Sequence, residues 1–101
     1  MGRSFMFIVS LHYTQPLEVV ECQLQAHRAF LDRFYQQGVF IASGRKVPRN
    51  GGVILAKGVT HAELEKILDQ DPFRAQGVAD YQITEFTANR TSADFAGLLE
   101  L

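Results

Sequence analysis

Two residues in this chain have the type and the setting for proton transfer. His27 stands within a stripe of apolar residues, with Val20 and Leu24 before it and Leu31 and Phe34 after it at spacings of three and four. An imidazole placed there needs a partner, because leaving a buried polar group unpaired costs about 1–3 kcal/mol. Asp71 precedes Pro72 and Phe73. A carboxylate in that position caps a helical turn that begins with proline, and the cap alone accounts for it. A second reading has the Asp71 carboxylate reaching His27 and holding one tautomer. Burial and a neighbouring carboxylate pull an imidazole's proton affinity in opposite directions. That balance suits a group that gives and takes protons near neutral pH. The plainer reading makes His27 a core residue satisfied by a backbone carbonyl or water.

Other residues carry less. His12 ends an apolar run and His61 opens a helical one. A metal site needs three or four ligands at defined geometry, and His12, His27 and Asp71 would have to converge to supply them. Asn50-Gly51-Gly52 reads as a hairpin turn, without the helix that a phosphate-cradling loop requires. Ser43 lacks the flanking sequence of an acyl-transfer nucleophile. The single cysteine, Cys22, cannot form an internal disulfide or a four-thiolate zinc site, and reads as a bystander on a helix. No metal, nucleotide or other cofactor is expected.

The elements that position these residues follow from periodicity. Residues 5–13 are aromatic and branched and end at Thr14-Gln15-Pro16, which predicts a first strand. Residues 16–37 predict one long amphipathic helix with the stripe Leu17, Val20, Leu24, His27, Leu31 and Phe34, closed by Gly38. Residues 39–47 and 52–57 predict two strands joined by a hairpin whose Asn-Gly and Gly-Gly steps supply positive φ. Residues 60–70 predict a helix opened by a Thr60–Glu63 capping box, with Leu64, Ile67 and Leu68 buried. A short turn capped by Asp71 and ended by Gly77 leads to a last strand at 78–87. Residues 92–100 predict a tail helix with Phe95, Leu98 and Leu99 as a small apolar face. The order is β-α-β-β-α-β, an α+β, ferredoxin-like arrangement with an antiparallel sheet.

Composition bounds the class. The 101 residues fit a single domain, and the hydrophobic and charged shares, 47% and 21%, are those of an ordinary globular protein. A net charge of −1 gives no basic face for nucleic acid or an anionic membrane. The N-terminal apolar run is interrupted by Ser10 and His12 and reads as a strand and not a signal peptide. The cytoplasm is the expected location. Two helices can cover only one side of a sheet, yet the first strand is apolar on both sides. Met6, Ile8, Phe40 and Ala42, or the residues on their opposite faces, therefore need a cover, and the tail is short for the task. A homodimer about a two-fold axis supplies it; larger assemblies stay open.

Several of these residues together resemble the YciI-like family. They are His27 within QAHRAFLDRF, Ser43-Gly44, Asp71-Pro72-Phe73 and Ala75-Gln76-Gly77-Val78, and the resemblance runs to about Phe86. It implies the dimeric α+β barrel fold and a cleft holding a histidine and an aspartate. Carried over to this chain, His27 is the acid/base and Asp71 its partner. The family includes a dechlorinating enzyme. Where the family often has Gly-Pro, this chain has Gly44-Arg45, and a guanidinium there suits a substrate carboxylate; a solvated strand end is the plainer role.

Two functions from different classes follow. In the first, the chain is a small cofactor-independent enzyme, moving a proton on a small, ring-derived substrate by isomerisation, elimination or dehalogenation. Its cleft would lie between the first helix and the sheet, with Ser43, Arg45, Phe34 and Tyr81 contacting substrate and Phe40 beside them. In the second, it is a non-catalytic dimer that binds a small ligand or another protein, since fold does not decide function. A cofactor-free oxygenase, a third reading, would need a larger enclosed apolar pocket.

Overall fold

The computed structural model describes residues 5–99. They form β1 (Met6–Tyr13), α1 (Leu17–Cys22), α2 (Leu24–Gln36), β2 (Phe40–Arg45), β3 (Gly51–Lys57), α3 (His61–Leu68), α4 (Pro72–Ala75) and β4 (Ala79–Phe86). A 3-10 segment, Ala93–Leu99, follows. The strands make one antiparallel sheet in the order β2-β3-β1-β4, which is the expected ferredoxin-like order. Among the described residues no helix is long and apolar enough to cross a membrane.

Alternation along β1 divides the sheet's two sides. Phe7, Val9 and Leu11 are at most 2% exposed and pack with Val20, Phe30 and Phe34 from the helices. Leu64 and Leu68 of α3 and Phe73 of α4 complete this core. The capping box of α3 is present: Thr60 Oγ1 accepts from the Glu63 amide at 3.1 Å, and the Thr60 amide donates to Glu63 at 2.7 Å.

The expected long helix is two. The Gln23 amide bonds the Val20 carbonyl at 3.0 Å, a tight three-residue closure, and Gln23 takes φ −102° and ψ 0°. Such a turn advances the chain about its axis differently from an α-helical one. The stripe is therefore rephased after the break. Val20 is buried in α1, but in α2 the buried residues are His27, Phe30 and Phe34. Leu24 and Leu31, expected in the core, sit at its margin.

The second strand departs from simple alternation too. Phe40 pairs with Ala56, but Ala42 pairs with Leu55, so Ile41 is the extra residue of a bulge. Strict alternation would put Phe40 on the side of Ala42. The bulge turns Phe40 into the helix-side core, 3% exposed, and puts Ser43 and Arg45 on that same side. The opposite side carries Ile8 and Phe86, 38% and 41% exposed, with half-buried Leu55 and Val53 and exposed Ala42. Met6 lies on that side but is buried.

The tail is not a regular helix. Its 3-10 segment is interrupted at Phe95 (φ −119°, ψ 22°), and Phe95 is 58% exposed. Residue 100, the end of the predicted tail helix, lies outside the described residues.

The hairpin glycines serve a purpose other than the one expected. Positive φ is found at Gly38, Gly58 and Gly77 and not in the hairpin, whose Val47–Pro48 bond is cis. Gly51 instead lies in β3 so close to β1 that a Cβ would be driven into the Leu11 carbonyl. Gly38, at φ 75°, ends α2 with open space around its Cβ position. Gly51→Ala should therefore destabilise the fold by about 2–3 kcal/mol, as overpacking does, and Gly38→Ala by about 1 kcal/mol from backbone strain alone. Urea unfolding of both variants checks the ranking; a Gly51→Ala protein as stable as the wild type would contradict the close packing of β3 on β1.

Candidate functional site

Asp71 is the N-cap of α4, and Pro72 starts that helix. Its Oδ1 accepts the Phe73 amide at 3.0 Å. The same oxygen lies 2.7 Å from His27 Nδ1, and Oδ2 accepts the Tyr81 hydroxyl. Asp71 is fully buried, at 0% exposure. The cap and the histidine partner, alternatives when read from sequence, are one group.

A carboxylate that collects donors on both oxygens acts here as acceptor, so Nδ1 carries the hydrogen and Nε2 is left as the free nitrogen. Phe73 fixes the ring plane. Its ring stacks on His27 with centroids 3.9 Å apart and planes inclined by 2°. Phe73 is itself held edge-on by Tyr13 at 6.0 Å. Tyr81 closes the far side of the carboxylate, and the Arg74 guanidinium lies over its ring at 5.4 Å. Burial first, then the charge of Asp71, push the Tyr81 phenol far above its ordinary pKa, so it stays protonated and donates.

His27 is 8% exposed, and that remnant faces a cavity of about 210 Å³ between α2 and the sheet. Leu24, His27, Arg28 and Leu31 line it from α2, which is where the rephased helix puts its marginal leucines. Leu11, Tyr13, Ser43, Arg45, Gly52 and Ile54 line it from the sheet, and Phe73 and Arg49 line it as well. The floor has a definite origin. Arg45 pairs with Gly52, Gly52 with Leu11, and Leu11 with Tyr81. These four residues form one row across the sheet on the helix side, and the gap in the row is Gly52. Ser43 is held by the Tyr35 hydroxyl at 2.6 Å.

Of the residues expected to touch substrate, Ser43 and Arg45 line this cavity. Phe34 does not: it is 5% exposed and packs on Phe30 and Phe40 in the core. Phe40 is buried likewise, and Tyr81 stands behind Asp71 outside the lining. Arg28, Arg49 and Tyr13 line the cavity without having been singled out; only the adjacency of Arg28 to His27 pointed to one of them. His12 alternates to the sheet's opposite side, and among the described residues no three His, Cys, Asp or Glu are grouped to hold a metal.

The Tyr81 contact has a measurable sign. A phenol whose pKa is raised by folding stabilises the fold fully below the ordinary value of 10.0. Above that value the unfolded chain releases a proton that the folded chain keeps, and stability falls. Over roughly pH 10 to 12, wild-type stability should drop faster than that of Tyr81→Phe, by at most about 1.4 kcal/mol per pH unit. Urea unfolding across that range measures the two slopes; equal slopes would show that the fold does not hold the Tyr81 proton.

Comparison with solved structures places this architecture. The 5-chloro-2-hydroxyhydroquinone dehydrochlorinase TftG from Burkholderia phenoliruptrix AC1100, in complex with 2,5-dihydroxybenzoquinone, superposes with a TM-score of 0.68 at 16% identity, covering 80% of this chain and 92% of that one. The cofactor-independent oxygenase SnoaB from Streptomyces nogalater superposes with a TM-score of 0.55 at 19% identity, covering 91% and 99% of the two chains. A point mutant of SnoaB gives 0.53 at 18%. No curated protein matches the chain. The fold is the ferredoxin-like one of the dimeric α+β barrel proteins. The family model of the YCII-related domain matches residues 6–87, and the chain belongs to that family.

Proposed function

We propose that the chain is a small enzyme that works without a bound cofactor and uses His27, oriented by Asp71, for acid/base chemistry on a small single-ring organic substrate. The observation that carries this is the pairing of a fully buried Asp71 at 2.7 Å from His27 Nδ1 with a ring edge that faces a cavity. A purely structural histidine would be sealed, whereas this one keeps a face toward a space of about 210 Å³. That is somewhat larger than an apolar cavity of roughly 150 Å³ that admits benzene.

In this reading Nε2 takes a proton from a carbon next to a carbonyl, a quinol reacting through its keto form, and Asp71 stabilises the imidazolium that forms. The C–H electron pair then moves to the oxygen, giving isomerisation once the proton returns elsewhere. Alternatively it forms a double bond as halide leaves the adjacent carbon. A dehydrochlorinase of similar fold supports the elimination variant. Exchange of substrate C–H for deuterium and release of halide, followed by NMR and ion chromatography on a panel of single-ring ketones, quinols and halogenated quinols, test it. His27→Gln should slow turnover by about 10²–10⁴-fold, and Asp71→Asn by about a hundredfold or more. Turnover that survives His27→Gln within a few-fold sinks the proposal. A panel that binds in the cavity but is never turned over leaves a non-catalytic ligand-binding module.

The working unit in this proposal is a cytoplasmic homodimer. What supports self-association is the apolar side of the sheet away from the helices, where Ile8 is 38% and Phe86 41% exposed, beside Leu55 and Val53. Burying such a patch against its own copy is the commonest two-fold solution. Sedimentation should show a dimer for the wild type and a folded monomer for Ile8→Asp. A wild-type monomer, or a variant that dimerises unchanged, would remove this part.

A further inference from the structure

The geometry points to a substrate that carries a carboxylate, received by Arg28 and Arg45 at the cavity mouth while its ring lies over Gly52. This deepens the acid/base reading, on which it rests for the identity of the site. The cavity lining holds three arginines, Arg28, Arg45 and Arg49, and no Asp or Glu. The chain as a whole has a net charge of −1, so this concentration does not follow from a basic composition. Arg49 is already engaged, donating to Glu21 at 3.1 Å and tying the β2–β3 loop to α1. Among the described residues the Arg28 and Arg45 side chains make no ion pair or hydrogen bond, although Asp32 lies one turn from Arg28. Two guanidinium forks without a carboxylate partner, on opposite walls of one cleft, are suited to a planar oxyanion.

The rest of the lining fits the body of such a molecule. Leu11, Leu24, Leu31 and Ile54 offer apolar surface, and Gly52 leaves the middle of the Arg45–Gly52–Leu11–Tyr81 row empty. A planar ring set in that gap has its carboxylate toward Arg45 on one strand and Arg28 on the helix. Arg28 directly follows His27, so the ring is carried toward the imidazole by the same pairing. The bulge at Ile41 is what makes this available, because it brings Arg45 to the helix side. The two arginines act here as binding and positioning residues, and the proton transfer remains with His27.

Binding of benzoate, benzamide and acetate to the full chain, followed by ¹H–¹⁵N NMR titration at low and high salt, tests this. Benzoate should shift the amides of Arg28, Ser43, Arg45 and Gly52. It should bind at least about tenfold more tightly than neutral benzamide or ringless acetate, and more weakly as salt rises. Arg28→Gln and Arg45→Gln should each loosen benzoate by about tenfold, the value of a charge-assisted contact. Arg90→Gln, an exposed arginine outside the lining, should leave it unchanged. His27→Gln should bind benzoate within about threefold of wild type, which separates this proposal from the catalytic one. Benzamide binding as tightly as benzoate, an unchanged affinity in the double arginine variant, or no benzoate shifts at all would overturn the assignment. None of these results bears on a His27-dependent turnover of neutral substrates.

Discussion

The burial of one carboxylate organises this molecule. Taking an ionisable carboxyl out of water costs several kcal/mol unless donors replace the lost hydration. Asp71 is at 0% exposure, and its donors come from three places: the Phe73 amide next to it, His27 on α2 and Tyr81 on β4. The first is a local cap, but His27 and Tyr81 come from other elements, so the fold has to close correctly for their contacts to exist. Removing the carboxylate would leave a histidine and a tyrosine short of partners at once, and each unpaired buried group costs about 1–3 kcal/mol. Stability and candidate chemistry therefore share a residue.

The cavity beside His27 depends on two local irregularities. Regular alternation would bury either Phe40 or the Ser43–Arg45 pair on the helix side, but not both. The bulge at Ile41 allows the core to keep its aromatic and the cleft to receive its polar wall. Likewise, an uninterrupted helix from Leu17 to Gln36 would keep Leu24 and Leu31 in phase with Val20. The tight closure at Gln23 moves Phe30 into the core and releases the two leucines to line the cleft. Neither irregularity involves proline or a positive φ, the usual local signals of a break.

That difference explains what could be read in the sequence. The order of elements, the capping box at Thr60 and Glu63, the Asp71-Pro72 cap and the singular position of His27 follow from short-range rules. Those rules act within a few residues and are visible one segment at a time. The bulge and the helix break are decided by packing between segments, so alternation leaves the side of Phe40 open and periodicity places Leu31 in the core. Phe34, expected at the cleft, packs in the core. Tyr81, expected to contact substrate, stands behind the carboxylate instead. Nothing local in the sequence marks Arg28, because a charged residue on a helix face is ordinarily solvated. Only the shared cavity of Arg28 and Arg45, invisible before the helix is laid on the sheet, distinguishes them from other surface charges.

The two sides of the sheet can be understood as one economy of space. On the helix side the row through Gly52 leaves a gap, and Gly51, one residue earlier, lets β3 approach β1. A consecutive pair of residues without side chains meets both demands because neighbours along a strand face opposite ways. On the far side the same stretch of β2 carries Ala42 and Gly44, paired with Leu55 and Val53. A strand with small residues outward and Ser43 and Arg45 inward can be approached closely by another surface without disturbing the cleft. The alternation of β2 thus sets the proposed contact face apart from the proposed cleft, and the bulge sets which residues fall on each.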